Sequence, residues 1–88
     1  MMQEIKIGAI YKHFKREMVE DKLSNEYLYK IIAIGEHTET AEDMVVYQAL
    51  YVPFKTYVRP YKMFVEEIDR EKYPNIKQKL RFAEVKFE

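Results

Sequence analysis

Cysteine is absent from these 88 residues, which excludes a disulfide, a thiolate nucleophile and a thiolate metal site. Glycine occurs only twice and proline three times. Two glycines cannot build a phosphate-cradling loop, and neither G-x-G-x-x-G nor G-x-x-x-x-G-K-[ST] occurs. G-x-S-x-G is also missing, and the sole serine, Ser24, has no base and orienting group beside it to make a nucleophile. No apolar run approaches the roughly 18 residues of a membrane span. Glu4 and Lys6 interrupt the N-terminal segment, so it shows no signal-peptide pattern, and the expectation is a soluble cytoplasmic protein without a membrane partner.

Charge of one sign is missing too. Fifteen Lys and Arg balance fifteen Asp and Glu, although unevenly along the chain. Residues 31–51 carry four acids and no base, whereas residues 52–88 carry nine bases and six acids. A protein that neutralises many phosphates of a duplex shows a clearer basic excess, so non-specific duplex binding is not expected.

What the chain has is aromatic and aliphatic surface: 48% apolar residues, with eight Tyr and five Phe. Residues 1–88 suit one small domain with a stability of roughly 4–13 kcal/mol, scaled from the usual value per residue. On so thin a margin, most aromatics serve folding first.

Ile5, Ile7, Ala9 and Tyr11 alternate with Lys6, Gly8, Ile10 and Lys12, the period-two pattern of a half-buried strand running to about Phe14. An insertion at 16–26 reads as a short helix or a polar loop, with Ser24-Asn25 as a turn. Leu28 to His37 is β-branched and bounded by Gly35, hence a strand. Met44 to Tyr51 is a second, apolar on both faces and ended by Pro53, with the acidic segment 36–43 as the hairpin tip between them. Thr56 to Arg59 is a short strand. Pro60 then suits the start of a helical turn whose Met63 and Phe64 would plug the core. Leu80 to Phe87 is the closing strand. Five short strands with one helical turn before the last predict a mostly β fold, a small SH3-like barrel. An α+β roll is the alternative if 16–26 and 61–73 are both helical.

Five pieces stand in a fixed order: Y-K-H-F-K at 11–15, H-T-E-T-A-E at 37–42, V-V-Y-Q-A-L-Y at 45–51, Y-V-R-P at 57–60 and M-F-V-E at 63–66. Together they resemble the bacterial domain of unknown function family 1653 over about residues 8–68. Two departures are the insertion at 16–26 and Tyr57, which stands where the family has Trp. The resemblance implies a compact, mostly β domain of a bacterial-type cytoplasmic protein. It implies no activity.

The candidate ligand face comprises His13, His37, Tyr47, Tyr57 and Arg59. Alternation places Arg59 on the face of Tyr57, where its planar fork can meet phosphate or carboxylate; its alternative is an ion pair with a loop carboxylate such as Glu39. Tyr47, Tyr51 and Tyr57 form either an aromatic binding face or core. His13 and His37 lie 24 residues apart without local ligand spacing, so each serves a strand end, a ligand contact, or a metal or acid/base pair. The acidic tip lacks the D-x-D-x-D-G ladder of a calcium loop. No catalytic residue, metal or cofactor is assigned. The expected function is a small binding or accessory module for an anionic or aromatic ligand: a nucleotide, single-stranded nucleic acid or a peptide of a protein partner. The alternatives are a metal-dependent or hydrolytic accessory using both histidines, and a structural protein-interaction domain.

Overall fold

The computed structural model describes residues 4–86. Its strands are β1 (Ile10–His13), β2 (Leu28–Glu36), β3 (Asp43–Ala49), β4 (Thr56–Pro60) and β5 (Phe82–Glu84), with one short helix, α1 (Tyr61–Phe64), between β4 and β5. All pairings are antiparallel and the order across the sheet is β4-β3-β2-β1-β5. The mostly β class, the five strands and the helical turn before the last of them are as the sequence predicts. Barrel closure is not: among the described residues no ladder joins β4 to β5, so the sheet is curled but open.

The first strand is shorter than its alternation predicts because Gly8 turns the chain at φ 88, a conformation that costs a side-chain-bearing residue and not glycine. Ile5 is buried beyond that turn while Ile7 is exposed. A 3-10 turn, Phe14–Met18, follows β1 at once. The rest of the insertion is loop, wrapped around one guanidinium. Arg16 donates to the carbonyls of Lys22 (3.1 Å), Ser24 (3.0 Å) and Glu26 (2.6 Å), and those bonds replace the ones a helix would supply.

β2 and β3 form the spine. Their register shifts between Ile31 and Ala33, a bulge that leaves Ile32 exposed and bends the sheet over the core. Val45, Tyr47 and Ala49 of β3 are buried, whereas Met44, Val46 and Gln48 are half-buried, so the strand is covered fully on one side only. α1 inserts Phe64 into the core with no exposure, but Met63, expected beside it, is 46% exposed. One turn of helix can aim only one of two adjacent side chains inward. The closing strand is shortened to three residues, preceded by a bridge between Glu67 and Leu80; its expected end, Phe87, lies outside the described residues.

Aromatic rings fill the interior. Phe82 stacks on Phe64 at 4.1 Å and meets the edges of Tyr29 and Tyr47 at 5.7 and 5.4 Å. The buried phenols keep their hydroxyls satisfied. Tyr11 donates to the Glu4 carbonyl at 3.4 Å and accepts from the Lys6 amide, and Tyr29 shares a 2.7 Å bond with Tyr51. A second, smaller core of Phe14, Ile68 and Ile76, with Tyr73 against it, fixes the 66–79 segment to the 3-10 turn.

Candidate functional site

The open side of the sheet, where β4 faces β5, is lined by rings and cations. Val45 pairs with Arg59 and Tyr47 with Tyr57, so period two brings Arg59 and Tyr57 onto the inward face, as the alternation predicts. Tyr57 remains 39% exposed. Its ring lies 5.6 Å from Tyr47 and 6.3 Å from Tyr29, and Tyr51 and Tyr27 continue the aromatic wall.

Arg59 reaches across the opening. Its Nε donates to the Tyr47 hydroxyl at 3.2 Å, and its guanidinium lies 5.6 Å above the Phe82 ring. These contacts hold the side chain from below and leave its two terminal nitrogens unengaged by any described hydrogen bond. The alternative, an ion pair with a loop carboxylate such as Glu39, does not form: the described ion pairs are Lys6–Glu84 and Arg81–Glu66. Arg59 is therefore a held cation without a carboxylate among the described residues.

His13 stands on the same side, between Phe14 (4.4 Å), Tyr27 (5.8 Å) and the Phe82 edge (5.1 Å). Its Nδ1 accepts from the Lys15 amide at 3.1 Å and so caps the 3-10 turn. That bond puts the proton of the neutral ring on Nε2, as a donor. Burial first, then Arg81, Lys15 and Arg59, bring its pKa down from 6.5 to about 4, so the ring is neutral near pH 7.

His13 and Arg59 line one cleft of about 370 Å³, together with Lys15, Asp69, Lys72 and Arg81. Phe14, Ile68 and Tyr73 form its apolar floor. The 66–81 segment folds back on itself to make the far wall: Ile68 donates to Lys79 and Arg81 to Glu66, both at 2.9 Å, and the side chain of Arg81 pairs with Glu66. Asp69 Oδ1 accepts from the amides of Glu71 (3.0 Å) and Lys72 (3.3 Å), which fixes the turn that presents Lys72.

Of the five expected residues the structure thus joins four: His13 and Arg59 on the cleft, Tyr47 beneath Arg59, and Tyr57 on the adjoining aromatic wall. His37 stands apart at the β2–β3 tip. There its Nδ1 accepts from the amides of Glu39 (3.0 Å) and Thr40 (3.4 Å), while Thr40 Oγ1 accepts from Glu42. The two histidines flank opposite ends of the nine-residue β2, which at ~3.3 Å per residue separates them by on the order of 30 Å. They cannot share a metal or a proton, and no group of three His, Asp or Glu converges for a metal among the described residues.

Sequence reasoning missed Lys15, which adjoins His13 in Y-K-H-F-K, and also Lys72 and Arg81. Lys72 lies in a polar run that gives no periodicity. Arg81, inside the apolar Leu80 to Phe87 pattern, was the one detectable oddity: a charge beside a buried Phe82.

A family model described as "Protein of unknown function (DUF1653)" matches residues 9–84. No curated protein and no solved structure matches the chain.

Proposed function

The chain belongs to that family of unknown function, and we propose that it is a small cytoplasmic binding module for a ligand carrying an aromatic ring and an anionic group. The ring is received by Tyr57 and its neighbours, and the anionic group by Arg59. One observation carries this reading: Arg59 is braced by the Tyr47 hydroxyl and the Phe82 ring, beside a part-exposed tyrosine, with no carboxylate within ion-pair distance among the described residues. An arginine that served only stability would be expected to hold a carboxylate or a backbone carbonyl. A braced guanidinium next to an open ring is pre-organised for a planar, charged ligand, which keeps the ordering cost of binding low. The chemistry fits a nucleotide or a short single strand, in which bases stack on aromatic side chains at ~1–3 kcal/mol each.

The test is NMR shift mapping with nucleosides, nucleotides and short single-stranded oligonucleotides. Shifts at Tyr57, Arg59 and His13 are expected, with the hairpin tip around His37 unaffected. Shifts that are absent, or confined to other faces, overturn the reading.

A further inference from the structure

We propose that the cleft beyond Arg59 takes a phosphate monoester, which makes the ligand a mononucleotide or the phosphorylated end of a strand. This inference rests on the proposed binding module and names the chemistry of its anionic end. The cleft is lined by the cations Lys15, Arg59, Lys72 and Arg81, and by one carboxylate, Asp69, whose Oδ1 is already engaged by two backbone amides. Glu66 answers Arg81. Two positive charges are left over, the complement of a monoester dianion and more than one carboxylate would balance.

The donors come from three separate elements: Arg59 from β4, Lys15 and the His13 ring from the first strand and its 3-10 turn, Lys72 and Arg81 from the returning segment. Donors converging from several sides match the three outer oxygens of a phosphate better than the planar edge of a carboxylate. Arg81 adds an independent observation. Its Nε is buried and has no hydrogen-bond partner, although buried N–H groups are nearly always paired. The side chain lines the cleft, so a small rotation of the guanidinium would offer this donor to an oxyanion. At about 370 Å³ the cleft lies within the ordinary range of small-ligand sites, ~300–1,000 Å³.

The experiment titrates the full chain with inorganic phosphate, a nucleoside, its 5′-monophosphate, and a dinucleotide with and without a 5′-phosphate. Backbone and arginine Nε–H resonances are followed by NMR, with sodium chloride at matched ionic strength as control. Phosphate is expected to move Lys15, residues 69–73 and the Arg81 Nε–H, and to raise the His13 pKa from about 4 by offsetting the field of Arg81, Lys15 and Arg59. Lys72→Gln, an exposed change that leaves the fold intact, should weaken phosphate binding about three- to fivefold. Arg59→Lys keeps the charge and loses the fork, and should weaken the monophosphate more than the nucleoside. If the monophosphate binds better than the phosphorylated dinucleotide the ligand is a free nucleotide, and the reverse makes it a strand end; either supports the phosphate site. Equal binding of nucleoside and monophosphate, with no response of the cleft to phosphate, overturns this inference and leaves the aromatic face standing. Cleft shifts with phosphate but none at Tyr57 with any nucleoside would instead sustain the phosphate site and remove the aromatic reading.

Discussion

Phe82 is where the fold and the proposed site depend on one side chain, and its replacement has a calculable result. The ring is 1% exposed, stacks on Phe64 at 4.1 Å and lies under the Arg59 guanidinium at 5.6 Å. Phe82→Leu keeps most of the volume and loses the ring-specific contacts, chief among them the Phe64 stack and the Arg59 cation–π contact. The stack is worth about 0.5–1.5 kcal/mol and the cation–π contact about 0.5–1 kcal/mol, so a loss of about 1–2.5 kcal/mol is expected. Phe82→Ala also leaves a cavity among Tyr29, Tyr47 and Phe64, and such truncations cost about 3–5 kcal/mol. Against a total of roughly 4–13 kcal/mol, the Leu protein should fold, and the Ala protein should be markedly less stable than Leu, marginal or unfolded if the parent lies at the low end of that range. Urea unfolding followed by tyrosine fluorescence or circular dichroism measures both. With a slope of ~1 kcal/mol per molar for a domain this small, the Leu midpoint should fall by about 1–2.5 M. The cost of Phe82→Leu should also shrink in an Arg59→Met background, because the cation–π contact is then already gone. A Leu protein within about 0.5 kcal/mol of the parent, or an Ala protein no worse than Leu, would refute the picture of Phe82 as the joint between the two sheet edges.

His37→Ala should lower stability by about 0.5–1 kcal/mol through the lost turn acceptor and leave ligand titrations unchanged; altered affinity would return His37 to the site. The His13 ring, faced by Lys15, Arg59, Arg81, Lys72 and Asp69, has a folded pKa of about 4 against 6.5 when unfolded. The unfolded chain therefore binds more protons between those values, and this contribution is complete above pH 6.5 and lost as pH falls through 6.5 toward 4. The full displacement would amount to about 3 kcal/mol, which solvent screening of a part-exposed ring reduces to about 1–2 kcal/mol. Urea midpoints across that range for the parent and His13→Phe should differ in slope, and parallel curves would contradict it. Gly8→Ala meets no neighbouring atom within 4 Å at its new Cβ, so the cost comes from the positive φ alone, about 1–2 kcal/mol by thermal unfolding.

Much of the fold is legible in the sequence because a strand's period of two is a local property. Leu28–Glu36, Asp43–Ala49 and Thr56–Pro60 fall within two residues of their expected limits, and the Tyr57–Arg59 face follows directly from alternation. The first and last strands come out shorter for different reasons. Gly8 permits a turn that alternation cannot reveal. The Lys79 carbonyl and the Arg81 amide bond to Ile68 and Glu66 instead of to the sheet.

The sequence by itself determined the mostly β class of the protein, its strands and the face on which Arg59 lies, since those rest on composition and on neighbours a few residues apart. Only the tertiary structure decided the membership of the site. The bulge at Ile32 and the curl of the sheet carry β4 over to β5, bringing Arg59 to Phe82 across 23 residues of chain and four strand steps, about 19 Å of sheet at ~4.8 Å per step. The same fold sends His13 to Arg59 and leaves His37 at a distant tip, although both histidines sit at strand ends in the sequence. Lys72 and Arg81 complete the cleft because residues 66–81 double back upon themselves. Pairing at such separations is set by the burial of Phe64, Phe82 and Tyr47 against one another, a cooperative outcome with no signature in any short stretch of residues.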